Sequence, residues 1–369
     1  MSAGQALRTD AATRQRYDTL YDACPHGLVQ QSSCWADATA PLGPDDAIFL
    51  VAGDGDQDFA GLPLYLYRHA AGNLITSVPQ AGPLGGIFCR PGLDAATRRA
   101  AFQSLLGRAV ALSLEHDCIA LTIISDPFQQ DDELYREHLQ PQLEFENFTQ
   151  ACMVDGLVRE GRVLPPASDK RRNVRRHLRR AQEFGLRSWL CRDDDEFDRW
   201  YQIHCKRHRE LGAAPLRRDL LSNILARLGA RKSAFLVLAA AGEQIVGGCL
   251  FVHNRIVGDV FIMSMDSDFA DAGTNYFLVE QGLLEFHRRG VKIMNWQSSS
   301  SRASGVYAFK KQWGSEEYPY RFYTRIFRDV SFFRDMGSVQ MARFYPGHYV
   351  VPFGLFDEDD GDVRLFRKL

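Results

Sequence analysis

Seven cationic side chains crowd one short stretch of this sequence. Lys170, Arg171, Arg172, Arg175, Arg176, Arg179 and Arg180 fall within eleven residues, with His177 and no acid among them. In a helix, Val174, Leu178 and Ala181 stand at i, i+4 and i+7 and form an apolar stripe that docks it, leaving the cations on the other faces. A solvated helix face is the plainer account. Against it, like charges three and four residues apart each destabilise a helix by about 0.2–0.5 kcal/mol. A cluster of this kind suits a polyanion: the phosphates of a coenzyme, an RNA or a nucleotide-linked substrate. Arg171, Arg172, Arg175 and Arg176 are the candidate phosphate ligands.

A second feature is the turn Asp271-Ala272-Gly273-Thr274-Asn275. Small residues at a helix start let backbone N–H groups approach an anion, and the helix dipole favours it. Gly273, Thr274 and Asn275 are therefore candidate donor- or phosphate-binding residues, although Thr274 or Asn275 also suits a plain cap. A third feature is Gly305-Val306-Tyr307-Ala308-Phe309-Lys310-Lys311-Gln312-Trp313-Gly314, in which three aromatic rings are mixed with two lysines and bounded by glycines. A short helix burying Phe309 and Trp313 is the plainer reading. A lysine held beside such a pair is also positioned to stabilise an oxyanion or a phosphate. His204 and His208 stand four apart, but in the run His-Cys-Lys-Arg-His, whose cations oppose a dication; no metal site is expected. Gly-x-Ser-x-Gly, Walker and Gly-x-Gly-x-x-Gly patterns are absent, and the serine run 298–301 reads as a flexible loop.

These features need a scaffold. Asp46–Ala52 and Gly61–Tyr67 read as a β-hairpin, followed by a glycine-rich loop at 81–86, a helix over Ala95–Glu115 and a buried strand over Cys118–Ile124. Gly161–Pro166 reads as a linker. Beyond it, Ser168-Asp169 caps the basic helix Lys170–Phe184, which Gly185 ends. Two helices follow, Phe197–Leu211 and Leu216–Leu228, then three hairpin-linked strands, Ala234–Ala240, Gln244–Val252 and Val257–Met265. A helix at Asn275–Arg289, a strand at Val291–Gln297, a strand at Tyr318–Phe327 and a last helix at Phe332–Phe344 complete the pattern. It predicts a mixed α/β (α+β) fold in segments 1–160 and 161–330, with 331–369 as a C-terminal helix and acidic tail.

A chain of 369 residues, 45% hydrophobic and 24% charged, suits two globular domains. The net charge of −2 excludes general polyanion affinity and confines any such site to a local patch. The eight cysteines form no C-x-x-C pair and read as reduced, mostly buried thiols. Neither a signal peptide nor the ~20 apolar residues of a membrane span is expected, so the expected compartment is the cytoplasm.

The order of elements from Ala234 to Phe327 resembles a GNAT acyltransferase module. Lys170-Arg171-Arg172-Asn173-Val174-Arg175 resembles the K-x-R-x-N-I-R-K opening of Fem-like transferases, and Gly305 to Gly314 resembles their closing G-x-Y-x-F-K-x-x-W/F-G signature. The resemblance covers residues 160–330 well and the first half more loosely, through Leu62-Pro63-Leu64 and the loop Gly82-Pro83-Leu84-Gly85-Gly86. It implies tandem GNAT-like modules, each a mixed, mostly antiparallel sheet flanked by helices. It also implies an acyltransferase (EC 2.3 class) with no permanently bound cofactor. The co-substrate would be an acyl-CoA or an aminoacyl-tRNA. The acceptor would be the amine of a small molecule, sugar or peptide, with tRNA a second candidate partner. A non-catalytic, RNA-binding scaffold is the remaining alternative. Two departures stand out. The pyrophosphate loop R/Q-x-x-G-x-G/A of acetyl-CoA enzymes is replaced by Asp268–Thr274, and Asn295-Trp296-Gln297-Ser298 stands where relatives often carry an Asp-Phe-Gly-Arg-like run.

The resemblance also assigns roles. Two strands, near Met263–Asp266 and Ile293–Gln297, would splay so that backbone N–H groups receive the reacting carbonyl. Lys310 would carry transition-state charge or bind a donor phosphate. Asp266 would be the base or orient the amine, unless it is a plain turn residue. Tyr307 is a third catalytic candidate. Trp296, Gln297, Ser298 and Phe309 would line the acceptor pocket, with Tyr307 and Asn275 as further candidates.

Overall fold

The structure, a computed structural model, describes residues 10–79, 84–164 and 169–345. Gly82, Pro83, Pro165, Pro166, Ser168, the acidic tail and the side chains of Lys170 and Arg171 lie outside the described residues. The chain divides into two compact units, Met1–Asn147 with Pro319–Leu369, and Phe148–Tyr318. The sequence reading places its boundaries instead at 160 and 330.

The first unit begins with α1 (Ala11–Asp22) and α2 (Ser33–Thr39), followed by β1 (Asp46–Gly53), β2 (Asp58–Tyr67), β3 (Asn73–Thr76) and β4 (Phe88–Cys89). Then come α3 (Ala95–Glu115), β5 (Cys118–Ile124) and α4 (Asp132–Leu139). Alternation along β2 sets its two faces: Leu62, Leu64 and Leu66 pack with Phe102, Leu105, Leu106 and Ala109 of α3, while Tyr65 and Tyr67 join an aromatic cluster with Tyr17, Phe49 and Phe88.

The second unit contains most of β6 (Leu143–Met153), α5 (Val154–Leu157), β7 (Val158–Arg159) and β8 (Arg162–Val163). The β7–β8 hairpin occupies part of the stretch read as a linker. Next are α6 (Asp169–Glu183), β9 (Leu186–Leu190), α7 (Asp194–Glu210), α8 (Arg218–Ala230), β10 (Ala234–Ala241), β11 (Gln244–His253) and β12 (Val257–Met265). The chain continues through α9 (Thr274–Arg288), β13 (Ile293–Ser298), α10 (Gly305–Lys311), β14 (Glu316–Ile326) and α11 (Val330–Phe344). Strand β11 is buried almost throughout, as a central strand covered on both faces must be. On one face Phe235, Val237, Cys249 and Phe251 meet Leu278, Leu283 and Phe286 of α9 and Val174, Leu178 and Ala181 of α6, the stripe read from the sequence. On the other, Gly248 lies so close to Trp200 of α7 that a Cβ there would come within 2.6 Å of its ring.

One strand pattern is used twice. In the first unit β1–β2 and β2–β3 pair antiparallel, β3–β5 parallel and β5–β14 antiparallel. In the second, β10–β11 and β11–β12 pair antiparallel, β12–β13 parallel and β13–β6 antiparallel. Helices α3 and α9 occupy the same place in the pattern, between the two parallel strands. Each final strand comes from a distant part of the chain: β14 follows the second pattern in sequence, and β6 follows the first. Among the described residues no helix is long and apolar enough to cross a membrane.

Candidate active site

Strand pairing between β12 and β13 lasts for three residue pairs, ending at Asp259↔Asn295. Beyond it β12 runs on to Met265 and β13 to Ser298, so the two parallel strands part, as the sequence reading expects. Two irregularities separate them. The β11–β12 register shifts at Phe261, a bulge that adds local twist. The β13–β6 register breaks between Asn295 and Ser298, where Gln297 adopts a left-handed φ of 59°. A buried clasp holds the fork: Asn295 Nδ2 donates to Asp259 Oδ1, and Asn295 Oδ1 accepts from Thr149 Oγ1 at 2.5 Å and from the Gln297 N–H at 3.1 Å.

Lys310 points at this fork. It lies on α10, whose first turn Ser304 caps by accepting from the Tyr307 N–H. Its side chain is buried, and its Nζ donates to the carbonyls of Gln297 at 2.9 Å and Ser298 at 2.8 Å. An ammonium out of water is costly unless its donors are satisfied. Two of its three are, and burial still pushes its pKa down to about 7. The serine run is fixed rather than loose: Ser299 is buried and donates to Gln150 Oε1 at 2.7 Å, and Gln150 Nε2 donates to Ser315 Oγ at 3.2 Å.

The two sequence signatures meet beside the fork. Asn173 of α6 donates through Nδ2 to Gln312 Oε1 at 2.5 Å and to the Tyr276 hydroxyl at 3.1 Å. Tyr276, on α9, donates in turn to Gln312 Oε1 at 2.8 Å. His177 stacks on Tyr276 with ring centroids 4.2 Å apart, and Phe309 meets both Tyr276 and Trp296 edge-on. Trp296 and Trp313 are buried and belong to the hydrophobic core.

Residues 168–311 match the family model described as acetyltransferase (GNAT) domain, Acetyltransf_6. The crystal structure of FemX is similar with a TM-score of 0.67 at 13% identity, over 84% of this chain and 95% of that one. The C-terminal domain of a putative lysylphosphatidylglycerol synthetase from Agrobacterium fabrum gives 0.59 at 11% identity, over 92% of this chain and 99% of that one. L-PGS from Bacillus licheniformis gives 0.53 at 12% identity, over 80% and 88%. No curated protein matches by sequence.

The chain has the GNAT/Fem-like acyltransferase fold.

Within this GNAT/Fem-like frame several of the remaining candidates engage partners other than Lys310. Asp266 accepts from Lys206 Nζ at 2.6 Å and caps the turn after β12 by accepting from the Asp268 N–H. Burial raises its pKa, but the Lys206 ammonium and the Asp268 amide outweigh burial and hold the carboxyl below its ordinary range. That geometry matches the alternative given for Asp266, an ion-paired turn residue. Tyr307 donates its hydroxyl to Glu317 Oε1 at 2.7 Å, and that carboxylate is also held by Arg302. Gly273 has φ 75°, and a Cβ on it would sit 2.5 Å from the His177 carbonyl oxygen. Its small size therefore serves the crossing of α6 over α9. Thr274 donates to the Phe269 carbonyl at 3.3 Å, and Asn275 Oδ1 accepts from the Tyr276 N–H, so neither caps from the N-cap position, which Gly273 holds. Arg172, Arg175, Arg176 and Arg179 are exposed. Arg176 donates to Asn173 Oδ1, and Arg180 lies 4.0 Å from Asp271. No group of His, Cys, Asp and Glu suited to a metal ion occurs among the described residues.

The sequence reading passes over Thr149 and Asp259 and notes Asn295 without giving it a role, although the three form the clasp of the fork. The one available signal is a polar residue inside the apolar strand Ile293-Met294-Asn295-Trp296. A buried amide of that kind must find partners.

Proposed function

We propose that this protein is an N-acyltransferase that moves an acyl group from an acyl-CoA, or another activated donor, to the amine of a small-molecule, sugar or peptide acceptor. The observation that carries the reading is the opened β12–β13 fork with the buried Lys310 amine at its end, within a GNAT/Fem-like fold. The acceptor nitrogen adds to the donor carbonyl carbon, and the carbonyl electrons move to oxygen. Backbone N–H groups freed where the strands part, together with the Lys310 ammonium, stabilise that oxyanion. Collapse re-forms the carbonyl and breaks the carbon–sulfur or carbon–oxygen bond, whose electron pair leaves on the thiolate or alkoxide; that leaving group takes up the proton the nitrogen loses. Trp296, Phe309, Gln297 and Ser298 border this place, and they are the acceptor-side residues of the proposal.

Lys310→Ala should lower turnover about 100-fold or more, in the range of lost oxyanion stabilisation, with the far-UV spectrum and unfolding midpoint close to wild type. Turnover within a few-fold of wild type in a folded variant would remove Lys310 from the mechanism.

A second reading, an aminoacyl group drawn from aminoacyl-tRNA, is favoured by one observation. Among the described residues, Arg172, Arg175 and Arg179 form no ion pair, and all three are exposed on α6. The similar lysylphosphatidylglycerol synthetase, whose name denotes an aminoacylated product, points the same way. Purified protein offered acetyl-CoA, longer acyl-CoAs and charged bulk tRNA separates the readings. Transfer from an acyl-CoA supports the first and transfer from charged tRNA the second. Salt-dependent RNA binding with no transfer would leave a non-catalytic scaffold.

A further inference from the structure

Among the described residues, positive φ angles on non-glycine residues occur at Asp117, Gln140, Glu160, Lys232 and Gln297. Asp117 and Lys232 follow the ends of α3 and α8, Gln140 ends α4, and Glu160 lies in the β7–β8 turn. Those are places where the chain must reverse. Gln297 alone lies inside a strand, β13. No turn requires a left-handed residue there, and a side chain with a Cβ is strained in that conformation.

The surroundings lock Gln297 in this state. Its N–H is bound by the Asn295 side chain, its carbonyl receives Lys310 Nζ, and the next carbonyl, of Ser298, receives the same amine. Its own side-chain Nε2 is buried and has no hydrogen-bond partner. An orphaned amide on a strained residue, at the point where two strands part, has the character of a group awaiting a ligand. Thr149, Asn295 and Asp259 are engaged with one another, and Gln150 with Ser299 and Ser315, whereas the indole Nε1 atoms of Trp296 and Trp313 are, like Gln297 Nε2, buried without a partner.

We propose that the Gln297 carboxamide donates the hydrogen bond that seats the acyl donor's carbonyl oxygen at the end of β13, beside Lys310. The inference rests on the transferase reading above and reassigns Gln297 from the acceptor side to the donor's carbonyl oxygen. The unpartnered Nε2 lies on the residue at which β13 leaves β12, and the oxygen that gains charge on attack is the acceptor proposed for it. A donor fixed in place before the reaction stabilises the transition state without reorganising.

Two variants test it in the full chain, with a donor the wild type uses. Gln297→Gly removes both the amide and the strain. Gln297→Glu keeps the shape and replaces the donor by an acceptor. Both should lose at least 30-fold in kcat with the donor KM changed less than threefold, and Gln297→Gly should unfold at or above the wild-type Tm. Turnover within threefold of wild type in Gln297→Gly overturns the proposal. So does a Gln297→Gly Tm several degrees below wild type with Gln297→Glu fully active, since Gln297 is then structural. If the wild type itself transfers no acyl group from any donor, the transferase reading fails and this role falls with it; a wild type that transfers while the variants match it removes this role alone.

Discussion

The Lys310 amine donates to two backbone carbonyls, those of Gln297 and Ser298, and to no carboxylate among the described residues. Its helix contributes Lys311, bound to the Ser315 carbonyl, and Tyr307, bound to Glu317; α9 contributes Tyr276, bound to Asn173 and Gln312; β6 contributes Gln150. With no carboxylate against it, burial alone sets its pKa at about 7, against about 10.4 for a free lysine. Two consequences follow, one for stability and one for rate. The unfolded chain binds more protons at this residue than the folded chain between pH 7 and pH 10, so its burial penalty is full below pH 7 and is relieved as pH rises. Lys310→Met should therefore show its most favourable stability relative to wild type near pH 6 and its least near pH 10, measured by urea unfolding at both. An amine needed as the ammonium gives a turnover limb that falls above about pH 7. Lys310→Arg, whose guanidinium does not titrate there, should flatten that limb. An unchanged limb in Lys310→Arg would assign the titration to another group. Gln297 belongs to the same scale: its positive φ places a side chain where the backbone prefers none.

At the scale of elements, long periodic segments were legible. The boundaries of α3, β5 and β12 coincide with those read from apolar spacing and turn residues, because each carries its own pattern and its own stops. The exchanged strands β6 and β14 reveal no pairing in the sequence, since β6 meets its partner β13 some 140 residues later. The same distance hides the site. Lys310 is visible through its signature, whereas Asn295 is bound by Thr149, 146 residues away, and Asp266 is engaged by Lys206, 60 residues away. No local pattern records such pairs. Gly273 shows how a correct segment can suggest the wrong cause. Its smallness reads as room for an anion, but the structure fills that room with the His177 carbonyl. Gly273→Ala adds a Cβ 2.5 Å from that oxygen at φ 75° and should destabilise the protein by about 2 kcal/mol or more, read as a lower unfolding midpoint. A glycine present only to admit an anion would leave the midpoint unchanged.

At the scale of the whole molecule, charge is nearly balanced at −2, while α6 presents exposed arginines that no acid among the described residues neutralises at Arg172, Arg175 and Arg179. A nearly neutral protein has no general attraction for a polyanion, so any such binding must be local, and its salt dependence counts the contacts. Each phosphate neutralised on a single strand contributes about 0.7 to the slope of log affinity against log salt. Replacing Arg172, Arg175 and Arg179 with Gln removes three exposed cations whose loss should move stability by less than about 0.5 kcal/mol. If α6 grips the RNA of a charged donor, that triple variant should bind charged tRNA with a slope shallower by about 2 and with far lower affinity at low salt. If the donor is a coenzyme, tRNA binding should be weak in both proteins, and the variant should instead raise the KM for acyl-CoA with kcat nearly unchanged, the signature of lost ground-state binding. A triple variant that matches wild type in both measurements would make the basic face of α6 a solvated surface and leave the chemistry to the fork alone.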